Sequence, residues 1–263
     1  MYLEHFRLRT QPFSEHAAAA ALWQDARMKE GLARLEFLLT MGELGMVTGP
    51  SGVGKSALIK RFLHRLTPQQ CEVVYCHLTQ LPSSGLLKLV AAQLGEPLRR
   101  GKDRVYEQIL ERARRSEVTL LLIFDEAHLL ASEALTDLRL LISSAIDVGP
   151  PLKILLVGQD SLRGTLKRAQ HADLLNRVSV RYQLRPLSKE QTAQYVDFQI
   201  SQAGGDVKLF GEEVKDLLHD FTGGLPRAIN NLAIACLLQA TAADAARIDE
   251  QVFRQAAGEF KLP

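Results

Sequence analysis

Residues 44–66 read "LGMVTGPSGVGKSALIKRFLHRL". A short apolar run leads into "GPSGVGKS" (49–56), and an amphipathic run follows it. Gly49, Gly54, Lys55 and Ser56 fill the pattern G-x-x-x-x-G-K-[ST] in the strand–turn–helix setting that it requires. The glycines let the backbone curl so that several N–H groups face a phosphate chain, and the helix N-terminus adds a favourable dipole. Gly49, Pro50, Ser51, Gly52, Val53, Gly54, Lys55, Ser56 and Ala57 are therefore expected around the phosphates of ATP. Lys55 would reach the β- and γ-phosphates, and the Ser56 hydroxyl would hold Mg²⁺.

A second stretch complements the first. "LLLIFDEAH" (120–128) is an apolar run ending in adjacent carboxylates. Burying two carboxylates is costly without a cation nearby. Asp125 is expected to bind the metal, directly or through water, and Glu126 to polarise the attacking water. The letters "DEAH" also suggest a helicase, but that needs a second motor domain with its own sheet, and the C-terminal sequence supplies none.

Outward from these stretches, strand-like and helix-like runs alternate. Residues 44–49, 72–78, 118–124, 152–158 and 178–184 read as strands, most of them nearly continuously apolar, as in a sheet covered on both faces. Amphipathic runs such as "SSGLLKLVAAQL", "VYEQILERARR" and "ALTDLRLLISSA" lie between them. This alternation predicts an α/β domain with a mainly parallel five-stranded sheet over residues 1–187. From Ser188 onward the periodicity is helical only, which predicts a C-terminal all-helical lid subdomain of about four helices over 188–263.

Composition bounds the remaining possibilities. Of 263 residues, 46% are hydrophobic and 24% charged, with 32 basic against 30 acidic side chains. Bulk charge thus does not announce a nucleic-acid partner, and any such reading rests on local clusters. The three cysteines, Cys71, Cys76 and Cys236, lack metal-ligand spacing and read as buried reduced thiols. The longest apolar run is far short of the ~20 residues a membrane helix needs, and no signal peptide is visible. A cytoplasmic protein with no membrane partner is expected.

"GPSGVGKS", "LLLIFDEAH", "LLVGQ", "LLNRVSVRYQL" and "GGLPRAIN", in this order and followed by helices, resemble an AAA+ ATPase along nearly the whole chain. The resemblance implies that Gln159 is the sensor-1 residue, orienting the lytic water, and that Arg227 is the sensor-2 arginine, contacting the γ-phosphate. It makes Arg177 the arginine finger, with Arg181 a second candidate. A finger acts on a neighbouring subunit's ATP, so the chain would assemble with itself into a ring or helical filament. The opening "MYLEHFRLRTQPF" is similar to the ExeA-like group, which implies that Phe13, with Pro12, packs near the adenine.

ExeA-like proteins divide between secretion ATPases and transposition regulators of the TniB, TnsC and Mu B kind. The chain ends directly after the lid, which resembles the second class: ATP-dependent binders of duplex DNA that recruit or stimulate a transposase. The alternatives are a secretion or envelope-assembly ATPase and a nucleotide-gated scaffold. Residues 99–115 hold seven basic and three acidic side chains, and 163–185 hold six and one. By resemblance, DNA contacts fall on Ser83, Ser84 and Lys88 and on Arg99, Arg100 and Lys102. No aromatic residues interleave with these basic ones, so duplex rather than single-stranded DNA is expected. The 99–115 segment also reads as a solvated helix face, with acidic residues at ion-pair spacing. The 163–185 segment, containing the finger, is expected at the subunit interface.

Overall fold

The computed structural model describes residues 2–77, 80–97, 99–143 and 152–260. The helices in chain order are α1 (Tyr2–His5), α2 (Ala26–Met41), α3 (Lys55–Arg65), α4 (Ser83–Gln93), α5 (Lys102–Arg115) and α6 (Ser132–Ser143), then α7 (Ser161–Leu166), α8 (Ala172–Asn176), α9 (Lys189–Gln202), α10 (Glu212–Thr222), α11 (Pro226–Ala242) and α12 (Glu250–Glu259). The strands are β1 (Leu44–Thr48), β2 (Cys71–Cys76), β3 (Thr119–Phe124), β4 (Leu152–Gly158) and β5 (Val178–Gln183). Each falls within a residue or two of an expected apolar run, and residue 78 lies outside the described residues.

The chain divides into two compact units: Ala26–Ser51 with Lys55–Leu184, and Met1–Asp25 with Gly52–Gly54 and Arg185–Pro263. The first holds one sheet of order β2-β3-β4-β1-β5, every pairing parallel. Interior strands β1 and β4 and most of β3 are buried on both faces, which explains their unbroken apolar runs. Edge strand β5 alternates buried and exposed residues instead, placing Arg181 on its exposed face. Because Thr48 registers with Gly158, and Phe124 with Leu156, the residues that follow β1, β3 and β4 leave the sheet at one end. That shared end carries the chemistry described below.

The second unit contains α9–α12, the four helices expected from periodicity. Ser188 and Gln191 close a reciprocal capping box at the start of α9, and Pro226 opens α11 at a position where its missing N–H costs nothing. The sequence reading placed residues 1–25 with the sheet, whereas their contacts place them with these helices. Tyr2, Leu8 and Phe13 are buried among Tyr195, Ile200, Phe210 and Leu237, and burial of this apolar area holds the segment there. The three cysteines are free and buried, and burial pushes their thiols up to about 11 (Cys71, Cys76) and about 12 (Cys236).

Gly224 illustrates how tightly the α10–α11 turn is set. Its φ is 70°, its carbonyl accepts from the Leu187 N–H at 2.8 Å, and a Cβ built there would collide with the Leu187 backbone. Gly224→Ala is therefore expected to lower stability by about 2 kcal/mol, through left-handed strain plus the clash. A urea unfolding midpoint unchanged from the native chain would refute this account.

Candidate nucleotide-binding and hydrolysis site

The glycine-rich turn leaves β1 and enters α3. Within the turn, Val53 is 1% exposed. Gly54, immediately before α3, has a φ of 106°, a conformation that side chains with a Cβ rarely adopt. Lys55 is buried, and its ammonium donates to the Gly49 and Pro50 carbonyls at 2.8 and 2.9 Å. The lysine head thus lies back along the turn, while Ser51 and the Ser56 side chain at the head of α3 remain exposed. Pro50, Gly52 and Ala57 are half-buried.

Asp125 follows β3 and is 2% exposed. Its N–H continues the sheet by donating to the Cys76 carbonyl at 2.9 Å. Its Oδ1 accepts the Glu126 N–H at 2.9 Å, and its Oδ2 accepts the Tyr75 hydroxyl at 2.5 Å. The His77 Nδ1 stands 3.5 Å from the same Oδ2. Burial, followed by the hydrogen bond to and charge of Asp125, pushes the Tyr75 phenol well above its ordinary range, so the phenol stays a donor.

Glu126 has a φ of 51°, a left-handed conformation unusual for a non-glycine residue. The chain then turns through a single 3₁₀ turn, Ala127–Leu129. The His128 Nδ1 lies 3.4 Å from the Glu126 carboxylate and accepts from the Gln159 N–H at 3.4 Å. Its side chain is only 11% exposed, so the base candidate and the strand end that carries Gln159 share one buried imidazole.

These residues suit a nucleotide and a small divalent cation. Asp125 is a nearly fully buried carboxylate with no lysine or arginine partner among the described residues, so its charge calls for a cation. No group of three or more His, Cys, Asp or Glu among the described residues is arranged to hold a metal alone. A carboxylate plus a hydroxyl, with phosphate oxygens and water, is the donor set Mg²⁺ takes. Mg²⁺-ATP held there would supply the γ-phosphoryl group and the charge neutralisation for its transfer to water. For the protein's part, Lys55 would offer a positive charge, Asp125 and Ser56 oxygens, and Glu126 a proton acceptor.

The other expected residues fall in varied settings. Arg177 caps the end of α8 and meets Glu43 at 3.5 Å with its side chain 40% exposed. Arg181 donates to the Leu175 carbonyl at 2.9 Å. In the helical unit as its contacts define it, Arg227 donates its N–H to the Gly52 carbonyl at 3.2 Å, and its guanidinium lies 3.5 Å from Glu15. Phe13 corrects the adenine expectation. Its ring is 1% exposed and edge-on to Phe210, and its N–H donates to the Gln199 side chain, so the ring belongs to the core and offers no face to a base.

Ser83 is a second correction. Expected at a DNA surface, it is 2% exposed and gives its hydroxyl to Asp137 of α6. Lys102 meets the same carboxylate at 2.9 Å and Glu133 at 2.7 Å, and Arg99 meets Glu111 at 3.2 Å. Ser84, Lys88 and Arg100 are exposed. Tyr75, His77 and His128 were not singled out from sequence. The alternation of "VVYCH" was the one signal for Tyr75 and His77, and it names a face of β2 without naming what that face meets.

Comparison with known proteins bears on the fold and on part of the chain. The family model described as "AAA domain" matches residues 41–166, from the end of α2 through α7. Residues 41–166 are thus similar to an AAA domain. General secretion pathway protein A of Aeromonas hydrophila is 29% identical over 249 residues, covering 92% of this chain. The chain spans 45% of that relative's length. Among solved structures, Cdc6p from Pyrobaculum aerophilum superposes with a TM-score of 0.72 at 16% identity, over 94% of this chain and 70% of that one. The Aeropyrum pernix ORC1 protein in complex with DNA gives 0.70 at 15%, over 92% and 67%. At such identities the likeness is one of fold, and it extends beyond residues 41–166. No helix among the described residues is long and apolar enough to cross a membrane.

Proposed function

We propose that the AAA domain drives a nucleotide-dependent assembly of this chain on duplex DNA, and that the assembly regulates transposition by recruiting or stimulating a transposase. ATP binding orders a ring or helical filament, with Gln159 and Arg227 reading the nucleotide and Arg177 reaching a neighbour's ATP. Hydrolysis through Glu126 then dismantles it.

The observation that supports a DNA partner is a set of cations left over after the ion pairs are assigned. Lys88, Arg100, Arg104 and Arg114 of the α4–α5 region are exposed and meet no acidic side chain among the described residues. Unpaired surface cations are what a phosphate backbone neutralises, with release of counterions. The likeness to an ORC1 structure solved with DNA is consistent with such a partner. Lys102 and Arg99 join in only by leaving their carboxylates, and Ser84 offers a hydroxyl.

The test is retention of duplex DNA by the full chain with a non-hydrolysable ATP analogue at low salt. Replacing Lys88 and Arg100 together by Glu is expected to weaken that binding equally for unrelated sequences and to flatten its salt slope by about 2. If the native chain retains no DNA under these conditions, the reading fails. A second reading is favoured by the 29% identity to General secretion pathway protein A. In it the same cycle energises assembly of an envelope complex, and co-purification with inner-membrane proteins without DNA binding would select it.

A further inference from the structure

We propose that Tyr75 is a positioning residue for the metal of this ATPase site, fixing the Asp125 carboxylate in the orientation that meets the cation. The proposal rests on the Mg²⁺-ATP reading of the site and adds to it a residue that the glycine-rich turn and the "DEAH" stretch do not contain.

Strand register explains how a residue 50 positions away arrives there. β2 and β3 run parallel with Tyr75 opposite Ile123 and Cys76 opposite Phe124. Side chains alternate, so Tyr75 and His77 share a face with Ile123 and Asp125. A phenol on the neighbouring strand is long enough to span from that register position to the carboxylate beyond the end of β3.

The hydrogen bonds divide the carboxylate evenly. Oδ1 takes the Glu126 N–H and Oδ2 takes the Tyr75 O–H, one donor on each oxygen. Each oxygen of an ionised carboxylate has two acceptor sites, so one per oxygen is left for the cation or its water. With both oxygens held, rotation about the Cβ–Cγ bond is blocked. Without the phenol, Oδ2 keeps among the described residues only the His77 Nδ1 at 3.5 Å, from a side chain that is 74% exposed. That is too long and too mobile to replace it. Partners of metal ligands that act in this way typically change metal affinity about 10- to 100-fold when removed.

The test uses the full chain, a fluorescent ATP analogue and titrated Mg²⁺, on the native protein, Tyr75→Phe and His77→Ala. Phenylalanine keeps the ring and its packing and removes one oxygen. The expected result is a Mg²⁺ half-saturation raised about 10-fold in Tyr75→Phe. Nucleotide affinity in EDTA should be unchanged, and His77→Ala should behave as native. Mn²⁺ substituted for Mg²⁺ should report the same weakening through its electron paramagnetic resonance signal, independently of turnover. A native Mg²⁺ half-saturation in Tyr75→Phe overturns the proposal, as does a loss of nucleotide affinity that appears equally in EDTA. If the native chain binds the analogue with no dependence on Mg²⁺, the metal reading of the site fails first, a result distinct from either.

Discussion

Glu126→Gln is expected to retain nucleotide while hydrolysing it roughly 10²–10⁴-fold more slowly, the usual contribution of a positioned general base. Glutamine matches glutamate in shape and still accepts a hydrogen bond, but it cannot take a proton from water. The backbone at this position is left-handed, with a φ of 51°, and its N–H is used on Asp125. A non-glycine residue held this way stores on the order of 1–3 kcal/mol, which persists only where the surroundings over-determine it. Here the Asp125 carboxylate, which accepts the Glu126 N–H, does so. Because the substitution leaves backbone and bulk alone, melting temperature and nucleotide affinity should stay native while steady-state phosphate release collapses. Undiminished phosphate release would remove Glu126 from the base role. The same variant separates a motor from a scaffold: full biological activity in its hands would mean that hydrolysis is not the working step.

The legible part of this protein is the part written in local pattern. Interior strands announce themselves because burial on both faces demands unbroken apolar runs, as in "TLLLIF" of β3. The phosphate turn is legible because backbone curl and charge need fixed residue types at fixed spacing. What escaped reading depends on which segments the fold brings together. Phe13 was expected near the adenine only by resemblance of the opening stretch to the ExeA-like group, yet Phe210 lies against it. Ser83 and Lys102 looked like surface groups awaiting phosphate, but Asp137, on a helix following the "DEAH" turn, takes both. A buried carboxylate recruits whatever donors tertiary packing supplies, and sequence spacing carries no record of the choice. Tyr75 on Asp125 is the same lesson inside the site itself.

Arg177→Ala is expected to lower turnover about 10³-fold in the assembled protein while hardly affecting its fold. Among the described residues the guanidinium has one acidic neighbour, Glu43 at 3.5 Å, and both side chains are substantially exposed, 40% and 60%. An exposed pair of this kind contributes about 0–1 kcal/mol, so its loss should barely move the melting temperature. The residue is thus weakly used within its own subunit, as a finger that acts on a neighbour's ATP would be. Mixing tests the trans geometry directly. An Arg177→Ala subunit keeps its own Glu126 and lacks only a finger to lend, while a Glu126→Gln subunit lacks its base and keeps its finger. Each variant alone should be nearly inactive. Mixed, the junctions where a Glu126→Gln subunit presents Arg177 to an Arg177→Ala subunit contain every needed group, and phosphate release should recover well above the sum of the two. Light scattering on each variant with a non-hydrolysable analogue checks that both still assemble. Recovery no greater than that sum, from variants that do assemble, would show that Arg177 does not act across the junction.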